Sequence, residues 1–93
     1  MCTNVTSVVE IGGSGLGTSG WFPLERAVVY FDHPQDAAVD HALCIDLRGA
    51  GLARVAVELD APSARRLVET VLAALGSEEV RELIEDRTPS PGP

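Results

Sequence analysis

Tyr30-Phe31-Asp32-His33-Pro34 and, beyond a polar turn, His41-Ala42-Leu43-Cys44-Ile45-Asp46 form the stretch whose reading decides the fold. Two β-rich runs, 26–33 and 41–47, are separated by Pro34 to Asp40, a short polar segment opened by a proline, and that pattern predicts a hairpin. Placing His33 opposite His41 also sets Phe31 against Leu43 and Val29 against Ile45, so that one face is apolar below a pair of imidazoles. The other face then collects Asp32 with Ala42, Tyr30 with Cys44 and Val28 with Asp46. A slip of one residue would turn every side chain to the wrong face, so the hydrophobic pattern itself selects the histidine pairing. Opposed residues have Cβ atoms about 4.5–5.5 Å apart. Both rings are then within reach of one ion at about 2.0–2.1 Å, or of one shared proton.

Working outward, Arg48 to Gly51 read as a glycine-bearing turn, and residues 52–59 alternate, with Ala53, Val55, Val57 and Leu59 on one parity and Arg54 and Glu58 on the other. This is a half-buried strand. The expected register sets Val55 against Ile45, Val57 against Leu43 and Leu59 near His41. Toward the N-terminus, residues 3–11 read as a first strand. Gly12, Gly13, Gly15, Gly17 and Gly20 follow within a short polar run. A phosphate-cradling loop requires a helix immediately afterwards, whereas Trp21, Phe22 and Pro23 lead into a strand here. The run therefore reads as a mobile connection between strands, or as a lid over a site.

Asp60 to Ser63 carry a helix-start signal. Ala64, Leu67, Val68, Val71, Leu72 and Leu75 then keep helical spacing, and Gly76 is placed to end the helix. Ser77 caps a second, shorter helix whose Glu78 and Glu79 suit its positive end. The expected fold is α+β: a four-stranded antiparallel meander with one long helix packed on one face and a short C-terminal helix. Residues 1–86 read as a single domain and 87–93 as a disordered tail.

Composition narrows the function. A chain of 93 residues is near the lower end of what folds alone, so a homodimer is expected. A formal charge of −7 without a basic cluster argues against nucleic acid or an anionic membrane as partner. All seven basic residues are arginine, which removes Schiff-base lysine chemistry and a phosphate-loop lysine. No signal-peptide pattern and no membrane-length apolar run is present, so the expected location is cytoplasmic and the two cysteines are expected as free thiols.

The pattern resembles a group of short, uncharacterised bacterial proteins. The likeness rests on Met1-Cys2-Thr3, the glycine-rich run into Trp21-Phe22-Pro23, Asp32-His33-Pro34, His41 with Ile45-Asp46, and Arg54-Val55-Ala56-Val57-Glu58-Leu59. It covers about residues 1 to 75 and brings no established activity. It implies that Cys2 and the two histidines belong to one recurring constellation. Leu16 stands where that pattern leads one to expect a basic residue, which weighs against anion binding by the loop itself.

Three functional readings follow. In the first, Cys2, His33 and His41 ligate one transition-metal ion, zinc or equally copper or iron, leaving an open position where a bound water becomes acidic. In the second, His33 and His41 act without metal as an acid–base pair over Phe31 and Leu43, with Asp32, Asp36 or Asp40 orienting a ring and an apolar metabolite as substrate. In the third, the domain binds a small molecule or assembles as a homodimer without chemistry. The sequence does not decide between enzyme and binding protein. Trp21 and Phe22 are candidate pocket residues with Phe31 and Leu43. Cys44, mid-strand among apolar residues, reads as a core residue.

Overall fold

The computed structural model describes residues 6–33, 38 and 40–87. The chain divides into two compact units, Met1–Ala61 and Pro62–Pro93. The first holds β1 (Thr6–Glu10), β2 (Ser14–Gly17), β3 (Gly20–Pro23), β4 (Arg26–Asp32), β5 (Ala42–Arg48) and β6 (Arg54–Leu59). Strands β1, β4, β5 and β6 lie side by side in that order, every pair antiparallel, which is the expected α+β meander; β2 and β3 form a second, two-stranded sheet.

The β4–β5 register is the one that the hydrophobic pattern selects, with Phe31 opposite Leu43, Val29 opposite Ile45 and Tyr30 opposite Cys44. The β5–β6 register differs from expectation by two residues: Val57 faces Ile45, Leu59 faces Leu43 and Val55 faces Leu47. A shift of two keeps every side chain on its expected face, so alternation alone cannot detect it. The turn sets it instead. Gly49 N–H donates to Ala53 O at 3.0 Å and Ala53 N–H to Ala50 O at 3.2 Å, and Gly51 takes φ 64°, closing a longer connection before Arg54.

The glycine-rich run is not a loose connection. Ile11 N–H donates to Glu25 O at 3.1 Å and Leu24 N–H to Gly13 O at 2.9 Å, so the ladder of β1 and β4 continues into β2 and β3. One long ribbon bends at Gly12-Gly13, where Gly13 takes φ 139°, a conformation that favours glycine. The other glycines seat an aromatic ring. A Cβ on Gly15 would lie 3.1 Å from Phe22 Cζ, and one on Gly17 3.2 Å from Phe22 Cε1. The missing side chains that suggested flexibility are the space that Phe22 occupies.

Burial along β5 inverts the simple expectation. Ala42, Cys44 and Asp46, on the mixed face, are buried, while Leu43, Ile45 and Leu47 are only half-buried. The mixed face buries its central strand because small side chains there lie beneath longer neighbours; Arg48 and Arg54 both reach Asp46. Asp46 is accordingly buried, at 4% exposure.

The second unit is helical. Helix α1 (Ala61–Leu75) has 15 residues and starts after Asp60, and α2 (Glu78–Arg87) has 10. Gly76 N–H still donates to Leu72 O at 2.9 Å, and Ser77 then caps α2 by accepting from Val80 N–H at 3.4 Å. The apolar stripe of α1 is exposed at Leu67, Val68, Val71 and Leu72. Among the described residues no helix is long and apolar enough to cross a membrane. Expectations for residues 88–93 lie outside the described residues.

Candidate functional site

His33 and His41 stand at the connected end of the β4–β5 hairpin, one residue beyond each strand. Strand parity projects both to the face that carries Phe31 and Leu43, and their rings stack with centroids 4.8 Å apart and planes inclined by 29°. His41 in turn lies over Phe31, at 5.7 Å and 6°. Phe31, His41 and His33 thus form one column of three rings, with the half-buried Leu43 on the same face.

The turn fixes one of these rings. His33 Nδ1 lies 3.0 Å from the carbonyl oxygen of Asp40. A carbonyl only accepts, so Nδ1 carries the hydrogen and the lone pair of the neutral ring is on Nε2. The backbone N–H of His33 donates to Asp32 Oδ1 at 2.7 Å, which places Asp32 at the root of the turn. Cys2 and Asp36 lie outside the described residues. Among the described residues no group of three histidine, cysteine or acidic side chains is arranged to hold a metal ion.

The candidate pocket residues separate into two places. Phe31 and Leu43 lie at the histidine end. Trp21 and Phe22 line a cleft with Leu52, Ala53 and Arg54, beside the turns that join β2 to β3 and β5 to β6. Strand β5 carries its seven residues between the two regions, a length of about 20 Å.

A second constellation is absent from the sequence reading. Asp46 accepts from Arg48 at 3.0 Å and from Arg54 at 2.9 Å, with the carboxylate buried and the two guanidinium groups partly exposed. The register explains it, since Arg26, Arg48 and Arg54 are direct neighbours across β4, β5 and β6. Like charges opposite one another are unfavourable. Asp46, two residues before Arg48 and so on the same face, supplies the opposing charge, and Glu25 lies 3.8 Å from Arg26. The i, i+2 pair Asp46/Arg48 opposite Arg54 is visible in the sequence once the β5–β6 register is known.

Titration follows from this packing. Burial pushes the Asp46 carboxyl upward, but the hydrogen bonds and charges of Arg54 and Arg48 together outweigh it and hold the group below its ordinary range. Burial pushes the Cys44 thiol up, reinforced by the charge of Glu58 and opposed by a hydrogen bond with Tyr30. Burial, with the charge of Asp46, raises the Tyr30 phenol as well. A thiol in this setting is a protonated core residue, not a nucleophile.

No curated protein and no solved structure matches the chain. A family description does match, over residues 1–84, and includes the histidine hairpin, the glycine-rich ribbon, the arginine rank and α1. The chain therefore belongs to DUF6295, a family of unknown function.

Proposed function

We propose that the His33–His41 pair binds one transition-metal ion, with Cys2 as the third ligand. The carrying observation is the ring separation. The two imidazoles stand with centroids 4.8 Å apart and planes inclined by 29°, so close that rotating them out of their stack brings one nitrogen of each within about 2.0–2.1 Å of a single ion. The anchored Nδ1 of His33 supports the same reading, since ligating histidines usually donate their other ring N–H to a carbonyl or carboxylate. A thiolate with two imidazoles suits zinc, copper or iron and leaves a coordination position open to a small molecule. The same Nε2 would serve as the base in the metal-free alternative, which differs in needing no ion.

The test is metal content of untagged protein after dialysis, for the wild type and for His33→Ala, His41→Ala and Cys2→Ser. One bound ion per chain, lost in both histidine variants, supports the proposal. Wild-type protein that retains no zinc, copper or iron after reconstitution sinks it. Cys2→Ser reports on the third ligand alone.

A second reading, homodimeric assembly, is favoured by a separate observation. Val9 and Val57 on the apolar face of the sheet are 54% and 42% exposed, and Leu72 on α1 is 62% exposed. In this reading each of these apolar surfaces is covered by a second copy in the working protein. Light scattering on wild type and Val57→Glu tests it: a dimer that the charge dissociates supports assembly, and a wild-type monomer ends it.

A further inference from the structure

We infer that the cleft beside Trp21 and Arg54 binds a planar aromatic carboxylate, with the ring on Trp21 and the carboxylate on Arg54. The cleft encloses about 530 Å³ and is lined by residues 17–22 on one side and 52–54 on the other. That volume is within the range of about 300–1,000 Å³ usual for small-molecule sites.

Its lining is specific in chemistry. Trp21 is 72% exposed and Leu52 98% exposed, so two large apolar side chains stand in water at the mouth. Exposed apolar groups gathered at one cleft mark a binding surface more often than isolated ones do. Arg54 is the one ionisable side chain among the lining residues. Asp46 holds one guanidinium nitrogen at 2.9 Å while the side chain remains 49% exposed. The cation is thus oriented before any ligand arrives, which lowers the ordering cost of binding.

Charge selects the ligand class. Arg48 and Arg54 carry two positive charges against the single negative charge of Asp46, so the clamp retains one positive charge. A monoanionic carboxylate neutralises it, and a dianionic phosphate would overshoot in a chain of formal charge −7. A guanidinium also matches the two oxygens of a carboxylate. The planar part of the ligand follows from the indole, which offers a flat, largely exposed face at the cleft. Phe22, seated on the backbone of Gly15 and Gly17, holds the Trp21 strand in place from the other side.

The experiment exploits the single tryptophan, which gives one indole N–H signal in NMR. 2-Naphthoate is titrated into the intact protein beside neutral 2-naphthylmethanol, with ligand-observed saturation transfer for variants that lack the indole. The expected result is a saturable indole shift with naphthoate, half-complete at or below about 1 mM for a ligand of this size, and at least tenfold weaker binding of the alcohol. Arg54→Gln should weaken naphthoate at least tenfold and leave the alcohol unchanged. Arg54→Lys, which retains the charge, should recover part of the loss. Trp21→Ala, which does not touch the Asp46 clamp, should abolish binding of both. Unchanged amide signals from Leu43 and Ile45 certify the fold of each variant. No saturable shift by 10-fold excess over that concentration, equal affinity for acid and alcohol, or undiminished binding by well-folded Arg54→Gln would each overturn the inference.

Discussion

The ring of Phe22 lies against the backbone of Gly49, so that a Cβ at Gly49 would be 2.6 Å from Phe22 Cδ2 and 2.5 Å from the carbonyl oxygen of Pro23. Gly49 directly follows β5, and Glu25 N–H donates to Arg48 O at 2.8 Å beside it. The bent ribbon and the central strand thus meet at a point with no room for a methyl group. Gly49→Ala must displace backbone as well as a ring, and it is expected to destabilise the chain by about 3 kcal/mol. Gly12→Ala is the matched control, since a Cβ there meets nothing within 4 Å; its effect should stay under about 1 kcal/mol. Urea denaturation of the two variants decides the matter, and equal stability would mean that the contact does not exist in solution.

The column of Phe31, His41 and His33 makes its own prediction. Aromatic pairs contribute about 0.5–1.5 kcal/mol beyond the area they bury. A double-mutant cycle on His33→Ala and His41→Ala should return a coupling energy in that interval, because the rings face each other at 4.8 Å. Additive effects would show that the imidazoles do not touch. The cycle is independent of any ion if it is run in chelator, and repeating it with zinc present should enlarge the coupling if the metal proposal holds.

The histidine pairing was legible because His33, Phe31 and Val29 on one strand and His41, Leu43 and Ile45 on the other share one parity, which rules out a slip of one, and because both runs end at the same short segment 34–40. The β5–β6 register was not, because Val55 and Val57 occupy the same face and a shift of two between them changes no face at all. The glycine-rich ribbon was misread for a different reason. Gly15 and Gly17 look like freedom in a sequence, and only the position of Phe22 shows that they are filled. The clamp on Asp46 depends on Arg54 lying opposite Arg48, so it could not be read before that register was known.

Cys44 should behave as a silent thiol. Its raised pKa and 3% exposure keep it protonated and shielded, so in native protein at pH 8 Cys44 should not react with a thiol reagent and should become reactive on unfolding. Mass mapping of labelled peptides checks this. The same shift has a consequence for stability. In the folded chain the thiol loses its proton only above its ordinary value of 9.0, so its contribution is complete below that value and falls away as pH rises through the raised folded value. Tyr30 shifts in the same direction from 10.0, and the two losses overlap on the alkaline side. Cys44→Ala should therefore flatten the decline in melting temperature above pH 9, and an unchanged slope would contradict the assignment.

Asp46 sets the opposite limb. Its carboxyl is held below the ordinary value of 3.8 in the folded chain, so between the two values the unfolded chain binds a proton that the folded chain does not. The stability that the clamp supplies is complete above 3.8 and is lost as pH falls through the lowered folded value. Asp46→Asn removes the charge at every pH and leaves Arg48 facing Arg54 without a counter-ion. Charge-assisted hydrogen bonds contribute about 1.5–3 kcal/mol each when buried, but Arg48 and Arg54 are 37% and 49% exposed, and water recovers much of that when the partner is lost. The expected cost near neutral pH is accordingly about 1–2 kcal/mol for the whole clamp. As pH falls below 3.8 and through the lowered folded value the gap between wild type and variant should shrink, because the wild-type carboxylate is being protonated while the asparagine is not. Thermal melts of the two proteins from pH 2 to 7 measure that convergence, and parallel curves across the range would show that the clamp contributes nothing specific to the charged form.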